Sequence, residues 1–186
     1  MSAKSYIRQF AARFRADNRG AVATEFAIIL PTMLVMYFGT FEASRLIRAY
    51  LATNRAAQLM ANLIAQEGSG GVTASESTDF CAAAKLVMSP FPSATFTATS
   101  ASITKNVSTG TIAIDWQDTT CGGGAGSFSN ATTAANGLLT TNGDTMILVK
   151  ASYTYNAPIR FVLSSSYTIQ QTAYQRPRTG STIPHS

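Results

Sequence analysis

Few residues in this sequence have the type and setting for chemistry, and the most informative is an acid. Glu25 is the one charged residue in the 21-residue run AVATEFAIILPTMLVMYFGTF, from Ala21 to Phe41. A carboxylate in apolar surroundings is costly unless it is paired or sits at the edge of the apolar zone. Glu25 therefore calls for an edge position or a cationic partner. Cys81 and Cys121 both follow the apolar run. In an exported, oxidising setting an even count permits one disulfide between them, with two buried thiols as the alternative. Asp115 and Asp118 flank Trp116 and read as a solvated turn rather than an acid–base pair. His185 is the single histidine, and with two separated cysteines it offers no metal set. The glycines of Gly122–Gly126 lack the Gly-Lys-Ser/Thr of a phosphate loop. Asn106-Val107-Ser108 and Asn130-Ala131-Thr132 match glycosylation sequons, which are short enough to arise by chance. No catalytic, cofactor-binding or metal-binding constellation emerges, and this disfavours an enzyme.

The charge pattern explains what must hold Glu25. The chain has 186 residues and a formal net charge of +5, yet only 12% of its residues are charged. Residues 1–20 carry Lys4, Arg8, Arg13, Arg15 and Arg19 against Asp17, while everything after Gly20 is nearly balanced. Basic residues concentrated beside an apolar run follow the positive-inside rule. They do not form the spread basic surface of a nucleic-acid protein, so no nucleic-acid partner is expected. Residues 4–15 could form a basic amphipathic helix on anionic lipid, or a merely solvated leader. A helix over residues 21–41 would reach about 31 Å, enough to cross the hydrocarbon core. Pro31 lies inside that run and predicts a bend, with Gly39 as a second soft point. A secretory signal peptide is cleaved after its apolar region. Here the apolar run continues into Glu42, Arg45 and a helical pattern, so it is expected to stay with the product.

Residues 42–66 have no helix breaker, and Leu46, Tyr50, Ala57, Met60 and Ile64 recur at helical spacing. The helix is expected to stop at Gly68, Gly70 and Gly71. A short helix over 74–88 holds Cys81, and four strands follow: Phe96–Lys105, Thr111–Trp116, Met146–Tyr155 and Ser165–Gln175. Ile112, Ile114 and Trp116 are expected to share one face, as are Ile147, Val149, Ala151, Tyr153 and Tyr155. Such alternation favours an antiparallel sheet with one face covered, and the upper half of the long helix is the obvious cover. Residues 122–143 read as a surface loop, and the tail after Arg176 as frayed, with 179–186 flexible. The fold class is thus α+β. The expected divisions are a leader 1–20, a transmembrane part 21–41, an extracytoplasmic helix 42–66, an α/β domain 67–178 and the tail.

Arg19-Gly20-Ala21-Val22-Ala23-Thr24-Glu25-Phe26, followed by AIILP, resembles the processing site of type IV pilin-like precursors. The likeness is greatest to the TadE-like pseudopilins, the TadE/TadF family of the tight-adherence (Flp) type IVb pilus system. Val149–Tyr155 with Pro158, and the ending Arg176-Pro177-Arg178, are also similar to that family. The resemblance covers about residues 17–60 and 146–178; between them only composition and the order of elements agree. It implies cleavage of Gly20–Ala21 by a membrane prepilin peptidase, with Glu25 and Phe26 as assembly residues near the new N-terminus. It also implies a pilin-like arrangement of helix and sheet. The chain departs from type IV major pilins in having Ala21 rather than phenylalanine after the cut. Its soluble domain also exceeds that of the short Flp major pilins, which points to a minor component.

The physical reasons agree with this resemblance. Glycine leaves the backbone unhindered and resists helix, so the bond can be presented extended. A basic leader keeps that bond at the cytoplasmic surface. Cleavage creates an ammonium at Ala21, one helical turn from Glu25, in its own chain or a neighbour. The expected partners are the prepilin peptidase, other pseudopilins, the major Flp pilin and an inner-membrane assembly platform. The expected location is the bacterial inner membrane, single-pass, with a cytoplasmic N-terminus and a periplasmic C-terminal domain, or the pilus itself. An uncleaved single-span protein with a periplasmic ligand- or protein-binding domain is the alternative.

Overall fold

A computed structural model describes residues 20–68, 70–124, 128, 133, 135, 137–161, 163, 166–178 and 182–186. The leader and its basic stretch 4–15 lie outside these residues. Helix α1 spans Ala21–Gln66, and α2 spans Ala74–Val87. A 3-10 turn at Ser93–Thr95 leads into strand β1 (Phe96–Lys105). Strands β2 (Ile112–Asp118), β3 (Thr145–Asn156) and β4 (Ser166–Gln175) complete the fold. The α+β class expected from the sequence is the class observed.

α1 is one continuous helix of 46 residues through Pro31. At 1.5 Å per residue it is about 69 Å long. Its two halves differ in what they touch. Val22–Tyr37 is exposed throughout, including Ile28, Ile29, Met33, Leu34, Val35 and Met36. In the upper half, Ala49, Ala52, Thr53, Ala56, Ala57, Met60, Ala61, Ile64 and Ala65 form a buried stripe at helical spacing. The stripe is mostly alanine, and small side chains let the sheet approach the helix closely. Tyr50, expected on this packing face, is instead 49% exposed at its margin. α2 begins with a reciprocal capping box between Thr73 and Glu76. Its buried face, Ser77, Cys81 and Ala84, packs beside the stripe.

The sheet is fully antiparallel, in the order β2-β1-β3-β4. Ile147, Val149, Ala151, Tyr153 and Tyr155 of β3 face α1 together, as their alternation predicts. Phe96 and Ala98 of β1, with Ile169 and Ala173 of β4, extend that layer.

Three expectations are corrected. The sheet is covered on both faces, because Phe128, Ala135 and Leu139 pack on Ala101, Ile103, Met146 and Leu148 from the side opposite α1. The stretch 122–143 is therefore not wholly a surface loop; Phe128, Ala135 and Leu139 close a second core. Secondly, Ile112, Ile114 and Trp116 do not share a face. The β1–β2 register shifts between Ser102 and Ile103, pairing Ser102 with Trp116 and Ile103 with Ile114. Asp115 is the extra residue of this bulge, which turns Trp116 towards the α1 side while Ile112 packs with the second core. Thirdly, the end of the tail is docked. Ile183 is 1% exposed, and Val72 bridges His185 in parallel. The Val72 N–H donates to Pro184 O at 2.9 Å, and the Ser186 N–H donates to Val72 O at 3.1 Å. One buried isoleucine and two backbone bonds outweigh the polar composition that suggested fraying.

Candidate functional site

The residues singled out for processing stand at the exposed end of α1. Gly20 precedes the helix with φ −74° and ψ −16°, ordinary helical values. A Cβ built there would meet nothing within 4 Å. Neither the backbone nor the packing requires a glycine at this position. Ala21 opens the helix, and Glu25 follows one turn later, so the two lie on one face. Among the described residues the Glu25 carboxylate has no hydrogen-bond or ion-pair partner. Phe26 is 58% exposed. Pro31 is also exposed, within the unbroken helix.

Apart from Thr24, Glu25 and Thr32, this end is apolar around its whole circumference. A helix with no polar face must be covered by lipid or by other helices. It is a candidate membrane span by length and hydropathy, and none of its most apolar window is buried by the rest of the chain.

The soluble part takes hold of α1 at Phe38 and Glu42. The Phe38 ring lies 5.3 Å from the Phe161 ring. Glu42 is fully buried, and its carboxylate accepts the backbone N–H of Phe161 at 2.7 Å and of Leu163 at 2.6 Å. A buried carboxylate is tolerated where such donors converge on it. One turn further on, the Arg45 guanidinium stands 5.9 Å from the centres of both the Phe41 and Phe91 rings. The β3–β4 connection is thereby fastened to the helix where its exposed section ends.

The far end of the domain is fastened separately. Cys81 and Cys121 form a disulfide with Cα atoms 5.4 Å apart, tying α2 to the chain just after β2. Asp118 is 7% exposed and is not part of a solvated turn. Its carboxylate accepts the Thr120 N–H at 2.9 Å and the Thr120 hydroxyl at 2.5 Å. His185 Nε2 lies 3.8 Å away. Burial pushes the Asp118 carboxyl up, but the hydroxyls of Thr120 and Ser77, the Thr120 N–H and His185 together outweigh it and hold the group below the usual carboxylate range. Trp116 Nε1 donates to Ile183 O at 2.6 Å, and the Trp116 and His185 ring centres are 5.0 Å apart. Arg178 closes the domain from β4 onto α1, donating from its backbone to Ala65 O and from its side chain to Asn62 Oδ1, each at 3.0 Å.

The structure thus groups Gly20, Ala21, Glu25 and Phe26 at one end of α1, and joins Cys81 to Cys121 in the domain at the other. Sequence reasoning missed the clamp. Glu42 read as the charge that ends an apolar run, yet it lies seven residues before Ala49 and fourteen before Ala56, on the buried seam. That spacing was the available signal. The docking of Ile183–Ser186 had no comparable signal, because its bonds run through backbone atoms.

No curated protein and no solved structure matches the chain. A family model, that of the TadE-like proteins, matches residues 20–61, from the glycine at the head of α1 into its buried alanine stripe. Over that segment the chain is similar to TadE-like proteins, the family of the tight-adherence pilus system that its sequence resembles.

Proposed function

We propose that the chain is the precursor of a minor pseudopilin, a non-enzymatic component that acts in assembly or priming of tight-adherence (Flp) pili. The carrying observation is a Glu25 with no partner among the described residues, one turn beyond a glycine that the helix geometry does not need. Gly20 has helical dihedrals and open space. A glycine without a conformational role is accounted for by a prepilin peptidase that draws the Gly20–Ala21 bond out of its helical form into an extended one. Cleavage then supplies the ammonium that Glu25 lacks. The new Ala21 amine lies one turn away in the same chain, or is offered by a neighbouring pseudopilin or the major pilin as the apolar helices bundle. The family match over the same segment supports this reading. In it, residues before Gly20 stay on the cytoplasmic side of the inner membrane, α1 crosses once, and the sheet domain is periplasmic, facing the assembly platform or entering the fibre.

Glu25→Ala separates the two steps. In cells lacking the native gene, this variant is expected to be cut normally and to leave the cells without pili. Normal piliation by Glu25→Ala contradicts the assigned role of the carboxylate.

A further inference from the structure

The β3–β4 connection packs on α1 at Phe38, next to the exposed section Val22–Tyr37. It carries Ile159, 44% exposed, Arg160 with φ 54°, and Phe161, 53% exposed. The connection, residues 157–165, is largely apolar in sequence (APIRFVLSS), and it leaves two of these side chains exposed on either side of an arginine. Their height along the helix gives them meaning. A hydrocarbon core of about 30 Å takes up some twenty helical residues. Counted from Val22, that length ends near Phe41. The Phe161 ring packs on Phe38, a turn short of that end. A bilayer that covers Val22–Tyr37 therefore has its outer boundary at the level of this loop.

Two backbone groups of the loop meet the condition that lipid imposes. Irregular chain at membrane depth needs its polar groups satisfied from within the protein. The N–H groups of Phe161 and Leu163 are both taken by the buried Glu42 carboxylate. Arg160 has the length to lift its guanidinium to the phosphate layer while its stem stays among acyl chains. Arg45 and Arg48 stand one and two turns above Phe41 on α1, at the height such a layer would occupy.

We propose that the segment Ile159–Phe161 is a membrane-dipping loop. It seats Ile159 and Phe161 in the outer leaflet beside Phe38, places Arg160 against lipid phosphate, and is held at that depth by Glu42. The occupant of this surface is the lipid of the membrane that α1 crosses. The sheet domain, already packed on α1, is then fixed in height and orientation on the bilayer. This inference rests on the reading of α1 as a membrane span.

Depth-dependent fluorescence quenching tests the two separately. The full chain is placed in vesicles of phosphatidylethanolamine and phosphatidylglycerol carrying nitroxide labels at shallow or deep acyl positions. Single variants Phe161→Trp, Ile159→Trp, Met33→Trp and Val107→Trp are each compared with the parent, whose Trp116 supplies a common background. Val107 is 70% exposed at the opposite end of the sheet. The expected result is a blue shift and loss of emission for Phe161→Trp and Ile159→Trp with the shallow label, for Met33→Trp with the deep label, and no change for Val107→Trp. Quenching of Met33→Trp without either loop variant overturns the loop and leaves the span standing. No lipid quenching at Met33, Ile159 or Phe161 overturns both.

Discussion

Glu42 and Phe161 are 119 residues apart in the chain and are joined by a hydrogen bond of 2.7 Å, from the Phe161 N–H to the Glu42 carboxylate. With the second bond to Leu163, one side chain holds a strand connection to a helix that otherwise leaves the domain. Removing it strands two N–H donors, and each unsatisfied buried donor costs about 1–3 kcal/mol. Glu42→Ala is expected to destabilise the domain by about 2–6 kcal/mol, and Glu42→Gln by less, since the amide oxygen still accepts. Thermal unfolding of the full chain in detergent checks this. An unchanged midpoint for Glu42→Ala contradicts the clamp.

The disulfide closes a loop of 40 residues. Restricting the unfolded chain over that length contributes about 4 kcal/mol on the chain-entropy account. Reduction is expected to add two protons to the intact mass and to lower the unfolding midpoint. The Cys81→Ser, Cys121→Ser double variant should match the reduced protein. Alkylation of both cysteines without prior reduction contradicts the pairing.

Acid should remove the stability that the Asp118 carboxylate contributes. The folded Asp118 carboxyl lies below its usual range, so the unfolded chain takes up this proton more readily. The stability it contributes is present above the ordinary carboxylate value, about 3.9, and is lost as pH falls through the lower, folded value. Asp118→Asn is expected to remove that contribution at neutral pH and to flatten the acid limb of the stability curve. An unaltered acid limb in the variant contradicts the assignment.

Gly71 and Gly20 make opposite predictions for the same change. Gly71 has φ 80°, and a Cβ there would lie 2.5 Å from Pro184 O. Gly71→Ala combines a left-handed backbone with a collision, so it is expected to undock Ile183–Ser186 and to cost about 1–3 kcal/mol. Limited proteolysis of the C-terminus reports the undocking. Gly20→Ala is expected to leave stability unchanged and to slow cleavage. A stability loss for Gly20→Ala would return that glycine to a structural role.

The sequence was legible where one period ran unbroken. The alternation of Ile147 to Tyr155 places β3 on α1, the 3.6-residue spacing carries α1 through residues 42–66, and the apolar run carries it back to Ala21. It misled where a local event reset the period. One extra residue at Asp115 separates Trp116 from Ile112 and Ile114. Composition hid two further features. Phe128, Ala135 and Leu139 lie in a stretch of small residues yet close a core, and the C-terminal residues look polar while their backbone pairs with Val72. At the candidate site, Gly20, Ala21 and Glu25 were legible as a motif. Glu42 was not, because a charge at the end of an apolar run has an ordinary explanation as a boundary.

The account stands most directly on the identity of the mature N-terminus. Intact mass and N-terminal sequencing of the protein from piliated cells are predicted to give a chain beginning at Ala21. Protein from those same cells that still carries Met1–Gly20 would contradict the account, because Glu25 would then have no new amine to meet.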